Sequence, residues 1–144
     1  MSKVIRFEII GRPQGKSRPR FRRVGNYVST YNPKATQTYE KLVRNSALEQ
    51  CEDEFDSEYI GAIKVLIQAV FKPNKGTSKK KYQELLNTPY LHKPDFDNIA
   101  KIICDSLNGI AYKDDNQICE AIVEKWYGTE NKVIVSLEYC DYAE

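Results

Sequence analysis

Alternation of apolar and polar residues marks the strands of this chain. In residues 3–10, Ile5, Phe7 and Ile9 alternate with Arg6 and Glu8, the pattern of a strand with one buried face. Residues 62–71 place Ile63, Val65, Ile67, Ala69 and Phe71 on one face, while Ala62, Leu66 and Val70 partly fill the other. That doubled apolar content predicts a strand inside the sheet. Residues 118–127 and 132–140 predict two closing strands joined through Gly128–Asn131, the last with Val133, Val135, Leu137 and Tyr139 in alternation.

Helical spacing appears between them. Asn32-Pro33 reads as a cap followed by a proline in the first turn, and Tyr39, Leu42, Val43 and Ala47 supply an apolar stripe. A short helix is expected around Ser78–Leu86. A third opens after Pro94, which disfavours helix before it, with Asp95 as candidate N-cap and Asn108-Gly109 as its end. Residues 11–32 carry Gly11, Pro13, Gly15, Pro19 and Gly25 and read as a loop or loose hairpin. Residues 72–93 form a lysine-rich connection, and a turn falls at Lys113–Asn116. The whole, residues 1–144 with no internal repeat, predicts a single α+β domain. Its sheet, mixed or mostly antiparallel, has about four strands packed against two or three helices.

Composition adds limits. A chain of 144 residues that is 41% hydrophobic has the material for one core. No stretch approaches the roughly 20 apolar residues of a membrane span, and Met1-Ser2-Lys3 runs directly into Val4, leaving no room for a signal peptide. The expectation is a cytoplasmic protein. Four separated cysteines (Cys51, Cys104, Cys119, Cys140), without a CxxC pair and with His92 as the single histidine, argue against a Cys/His zinc site. Reduced, mostly buried thiols are expected.

The net charge of +2 hides a partition. No acid occurs between Ile9 and Tyr39, where Arg12, Lys16, Arg18, Arg20, Arg22, Arg23 and Lys34 fall. Lys72, Lys75, Lys79, Lys80 and Lys81 follow one another without a carboxylate, against an acidic run from Glu49 to Glu58. Local basic fields attract polyanions whatever the total charge; solvated loops are the plainer alternative.

The candidate chemistry lies in the third helix. Asp97, Lys101 and Asp105 fall within an arc of about 80° by helical periodicity, opposite Ile99, Ile102, Ile103 and Leu107. The short connection to Asp114-Asp115 allows that turn to fold back toward the helix and bring a third carboxylate near the first two. Phosphodiester hydrolysis needs an activated water and relief of phosphoryl charge, and a divalent ion held by carboxylates supplies both. Gathered carboxylates repel one another without a cation, and an ammonium such as Lys101 can hold a phosphate. Plainer roles stay open for each piece. Asp95 serves equally as a cap, Asp97 as a dipole-complementing acid, Asp114-Asp115 as a turn, and Asp105 as a partner of Lys101.

These residues carry a resemblance. Pro94-Asp95-Phe96-Asp97-Asn98-Ile99-Ala100-Lys101, then Asp105-Ser106-Leu107, then Asp114-Asp115-Asn116-Gln117 resemble the RusA family of Holliday-junction resolvases. Gly11-Arg12-Pro13 with Arg18-Pro19-Arg20, and Lys125, also look like family features. The resemblance implies a RusA-like fold and a homodimer that cuts four-way DNA junctions by paired nicks, in recombination and repair. It implies Asp95, Asp97 and Asp115 as catalytic ligands of Mg2+, with Mn2+ able to substitute, Asp114 as a further candidate ligand, and Lys101 as the helix lysine needed for activity. Arg12, Lys16, Arg18, Arg20, Arg22, Arg23, Lys93 and Lys125 are the expected DNA contacts. No organic cofactor and no membrane partner are expected. One departure is His92-Lys93-Pro94 where some members carry an arginine run; the lysines of residues 72–81 are candidates to replace it.

Two other readings compete. A non-catalytic DNA-binding or regulatory module would keep the basic loops but has no need of the aspartates. A nucleotide-sugar enzyme using Asp95-x-Asp97 on a metal would need glycine-rich nucleotide loops that are absent here. His92 as a general base is permitted but not favoured. Tyr27 and Tyr31 are better placed than Tyr39 and Tyr139 to stack on exposed bases, with Trp126 as a further candidate.

Overall fold

The computed structural model describes residues 3–140. The chain runs through β1 (Lys3–Ile10), β2 (Arg20–Val24), β3 (Tyr27–Tyr31), α1 (Lys34–Cys51), β4 (Ala62–Phe71), α2 (Lys79–Leu85), α3 (Phe96–Ser106), β5 (Ile118–Tyr127) and β6 (Lys132–Cys140). The main sheet has the order β1-β6-β4-β5. Its β4–β5 pair is parallel and the other two pairs are antiparallel, so the fold is α+β with a mixed four-stranded sheet. Parallel neighbours need a long crossover, and residues 72–117, with α2 and α3, supply it.

Register explains the alternation. Ile5 faces Leu137, Phe7 faces Val135 and Ile9 faces Val133, while Ile63, Val65, Ile67, Ala69 and Phe71 continue the same layer on β4. These side chains are buried against Tyr39, Val43 and Ala47 of α1 and the apolar side of α3. Ile99, Ile102 and Ile103 are fully buried and Leu107 is nearly so. Each such residue contributes roughly 1.5–3 kcal/mol as an upper estimate. Rotating α3 would expose them, so core packing fixes which face of the helix looks outward. The outward face is the charged one.

One local detail corrects the expectation, the cap of α1, and two sharpen it, the hairpin within residues 11–32 and the mostly buried thiols. Pro33 itself occupies the N-cap of α1, and no side chain caps it; Asn32 takes part through its carbonyl oxygen, which accepts from the Gln37 side-chain amide at 2.7 Å. Residues 20–31 form a separate two-stranded ribbon around a Gly25-Asn26 turn, with Gly25 at φ +61°, where glycine is favoured. Of the cysteines, Cys51, Cys104 and Cys140 are buried as free thiols, but Cys119 is exposed. Among the described residues no helix is long and apolar enough to cross a membrane.

Candidate active site

The acidic face is built on α3 by the core behind it. Asp95 occupies the N-cap position, yet its side chain makes no capping hydrogen bond. The carboxylate therefore does not cap the helix through a hydrogen bond, which weighs against the plain capping role. Asp97 in the first turn and Lys101 one turn later are exposed. Lys101 Nζ lies 3.7 Å from Asp105 Oδ2, so Asp97, Lys101 and Asp105 form the file that periodicity predicts.

The turn after α3 returns to this face, but it meets the helix at Asp105. Gly109, at φ +78°, reverses the chain, and its N–H donates to the Tyr112 carbonyl at 2.8 Å. Tyr112 is fully buried and its hydroxyl donates to the Cys104 carbonyl at 2.5 Å. The Tyr139 hydroxyl donates to the Ala111 carbonyl. Gln117 completes the anchor: its amide nitrogen donates to the carbonyls of Tyr59 and Gly61 at 2.7 and 3.0 Å, and its oxygen accepts from the N–H groups of Lys113 and Asp114. That double role is the physical reason for a glutamine three residues after Asp114.

The two adjacent aspartates divide the work. Asp114 Oδ1 accepts from the Asn116 N–H at 2.9 Å and closes a capping box with Gln117. Asp115 is half-buried, with the carboxyls of Asp114 and Asp105 as its charged neighbours. Burial, then these neighbouring carboxyls, push its pKa above the ordinary carboxylate value. The same field adds to burial in pushing the Cys104 thiol up to about 12, so that thiol stays neutral.

Asp95, Asp97 and Asp115 are thus not gathered around one point. Asp97 and Asp105 are eight residues apart on α3, about 12 Å along the axis. Among the described residues no three His, Cys, Asp or Glu side chains stand close enough to hold one ion. The expected approach of the turn is present, but the short reversal at Gly109 carries Asp115 only to the last turns of the helix. The donor chemistry still suits a hard divalent cation: it consists of carboxylate oxygens, and crowding at Asp115 is what a cation would relieve.

Lys16 is placed differently from a DNA contact. Its ammonium lies 2.8 Å from Glu40 Oε2 and 3.4 Å from Asp105 Oδ2, with its side chain only 12% exposed. Its N–H donates to the Asn98 carbonyl at 2.9 Å. Gly15 beside it leaves no room, since a Cβ there would sit 2.9 Å from the Cβ atoms of Asn98 and Pro94. The segment 15–16 is therefore clamped along α3, and Lys16 ties α1 to Asp105. Glu40 was not foreseen; its separation of 24 residues from Lys16 left no local signal.

The other basic residues fall into two groups. Arg18, Arg20, Arg22 and Arg23 are exposed, the last three on the ribbon, where Arg22 lies 5.5 Å over the Tyr31 ring. Phe21, Tyr27 and Val28 are 74%, 65% and 62% exposed on the same ribbon, a solvated surface of mixed cationic and apolar groups. Arg12 and Lys125 instead flank Tyr90. Arg12 donates to the Tyr90 hydroxyl at 2.8 Å, while Lys125 donates to the His92 carbonyl at 2.6 Å and lies 5.4 Å over the Tyr90 ring. They hold the segment leading to Asp95. Lys93, exposed, lines a groove with Gly15, Lys16, Pro94, Asp95 and Asn98. His92 is exposed and Tyr39 and Tyr139 are core, as expected.

Residues 11–138 match the family model described as endodeoxyribonuclease RusA. The chain is also 29% identical over 139 residues to the uncharacterized protein YqaN of Bacillus subtilis (strain 168), covering 92% of this chain and 94% of that protein.

Proposed function

The chain belongs to the RusA endodeoxyribonuclease family, and we propose that it is a magnesium-dependent endonuclease that resolves four-way DNA junctions by paired nicks. The observation that carries this reading is the outward face of α3. Asp97, Lys101 and Asp105 line it, Asp95 stands at its N-cap, Asp115 neighbours Asp105, and a groove bearing Lys16 and Lys93 opens beside Asp95.

The proposed ligands of Mg2+, or of Mn2+ in its place, are Asp95, Asp97 and Asp115, with Asp114 as a further candidate; they stand apart without the ion and would converge on binding it. Bound there, it supplies Lewis-acid relief of phosphoryl charge and acidifies a water. The protein's own groups do the rest. Lys101, its side chain 62% exposed, is free to meet a phosphoryl oxygen from the same helix face. Lys93 offers a second cation at the mouth of the groove. The ribbon arginines extend the contact to flanking phosphates.

A second copy of the chain belongs to this reading, because a two-fold junction is matched most simply by a C2 dimer with two sites. In support, the sheet face turned away from the helices is uncovered, with Val4, Ile10, Ile122 and Trp126 exposed among charges of both signs. A cytoplasmic setting belongs to it too.

The direct test is a nicking assay on a synthetic four-way junction and its linear duplex, with Mg2+ or with a chelator. Paired nicks on opposing strands of the junction, dependent on the ion, are expected. Asp97→Asn should reduce them about a thousandfold or more while junction affinity stays near normal. Tight junction binding without nicking in any divalent ion would favour the non-catalytic module instead. Replacing Arg18 and Arg20 together by glutamine should weaken binding and lower the salt slope by about 0.9 per lost phosphate contact. An unchanged slope removes these two arginines from the DNA surface.

A further inference from the structure

A second basic cleft lies at the end of the sheet where β4 finishes. It has a volume of about 480 Å³ and is lined by Arg12, Lys72, Lys75, Thr77, Tyr82 and Asn131, among others, with no carboxylate in its wall. Its shape is held by backbone bonds. The Lys72 N–H donates to Asn131 Oδ1 at 2.8 Å, and the Gly11 N–H donates to the Asn131 carbonyl at 3.0 Å. Thr77 closes the turn by donating from its N–H and hydroxyl to the Asn74 carbonyl at 3.2 and 2.6 Å. Lys72 and Lys75 are exposed, and among the described residues neither is paired with a carboxylate. A solvated surface of mixed charge normally offers lysines acidic neighbours; this cleft leaves them uncompensated.

The cleft is also connected to the candidate active site. Arg12 forms part of its wall and is stacked 5.4 Å from the Phe71 ring centroid and 5.8 Å from that of Tyr90. The Tyr90 hydroxyl, which Arg12 contacts, donates to the Lys93 carbonyl at 3.1 Å, two residues before Asp95. Lys75, Lys72 and Arg12 line the cleft, and Arg12 connects it through Tyr90 to the segment that carries Lys93 and Asp95. Cationic, amide and hydroxyl donors without acids are the usual partners of phosphate oxygens.

We propose that this cleft is a second phosphate-binding site, which takes the sugar-phosphate backbone of the DNA arm extending beyond the cut. It rests on the reading of the chain as a DNA endonuclease. Its role is to hold the strand in place, so it contributes to affinity and not to the chemical step.

The test compares the full chain with Lys72→Gln/Lys75→Gln, with Lys72→Arg/Lys75→Arg, and with Lys3→Gln at the opposite end of the sheet. Binding of a synthetic four-way junction is followed by fluorescence anisotropy in a chelator over a range of salt concentrations, and nicking is followed in Mg2+ at saturating protein. Loss of two phosphate contacts should flatten the log–log salt slope by about 1.8. With counterion release as the whole effect, affinity near 0.1 M salt then falls roughly 60-fold. The arginine pair should restore the slope, Lys3→Gln should leave it unchanged, and saturated nicking rates should be alike. If the glutamine pair has the slope of Lys3→Gln on a junction that the parent protein nicks, the cleft proposal fails alone. If the parent protein neither binds nor nicks the junction, the endonuclease reading fails and the cleft proposal with it.

Discussion

Asp115→Asn is expected to abolish ion-dependent nicking, by about a thousandfold or more, and at the same time to raise the melting temperature at neutral pH. The second effect follows from the crowding around this carboxyl. Burial, Asp114 and Asp105 raise its pKa in the folded chain. A carboxyl with a raised folded pKa binds its proton more tightly in the native state than in the unfolded one. Its stabilising contribution is full below the unfolded value of about 3.9 and is lost as pH rises through the folded value. At pH 7, ionised Asp115 therefore opposes folding, and a neutral amide of the same shape does not. The variant should melt roughly 1–4 °C above the parent at pH 7 without divalent ions, and the gap should close below about pH 4. Added Mg2+ should narrow it by stabilising the parent alone. Scanning calorimetry at the two pH values measures this. A variant less stable than the parent at pH 7 would mean that Asp115 is not strained by its neighbours.

Lys16→Met is expected to have the largest cost in stability. The ammonium sits between Glu40 and Asp105, whose side chains are 15% and 23% exposed. Burial lowers the Lys16 pKa, but the two carboxylates outweigh it and the net shift is upward. The pairing is therefore intact at pH 7 and is lost only as pH rises through the folded value, above the ordinary lysine range. Removing the cation leaves two acids in a poorly solvated place. Breaking a fully buried pair costs about 3–5 kcal/mol, and partial solvation here reduces that to about 2 kcal/mol. The melting temperature should fall by roughly 6 °C. Nicking at a temperature where both proteins are folded should also fall, because Asp105, the neighbour of the proposed ligand Asp115, loses its counter-charge. Lys16→Arg should keep most of both. Adding Glu40→Gln to Lys16→Met should recover part of the stability by removing one orphaned charge. No recovery in the double variant would show that the pair does not act through charge.

Much of the fold is legible in the sequence because burial is one-sided. Ile5, Phe7 and Ile9, or Val133, Val135 and Leu137, alternate because one face of the sheet meets helices. The ribbon of β2 and β3 gives no such signal: its residues are nearly all exposed, so neither face imposes a pattern, and only Gly25 hints at the turn. Strand direction is equally invisible to alternation, and the parallel pairing of β4 with β5 follows from the crossover. At the site, the charged file on α3 is readable from spacing of three and four. The approach of Asp115 to Asp105 is not, because it depends on Tyr112, Tyr139 and Gln117 reaching the carbonyls of Cys104, Ala111, Tyr59 and Gly61, 8 to 58 residues away. The reassignment of Lys16 has the same origin. A lysine among arginines looks like a phosphate contact until α1 places Glu40 against it.

The anchors of that returning turn have a further consequence. Gln117, Tyr112 and Tyr139 hold it with a neutral amide and two neutral hydroxyls on backbone carbonyls. None of these bonds is an ion pair, so none is weakened by added electrolyte. In the function proposed here, the grip on DNA rests on solvated arginines and lysines and would weaken steeply with salt. The protein thus separates what ionic strength governs from what it does not. On that proposal, a rise in salt would release the DNA while the turn that carries Asp115 stays in position for the next encounter.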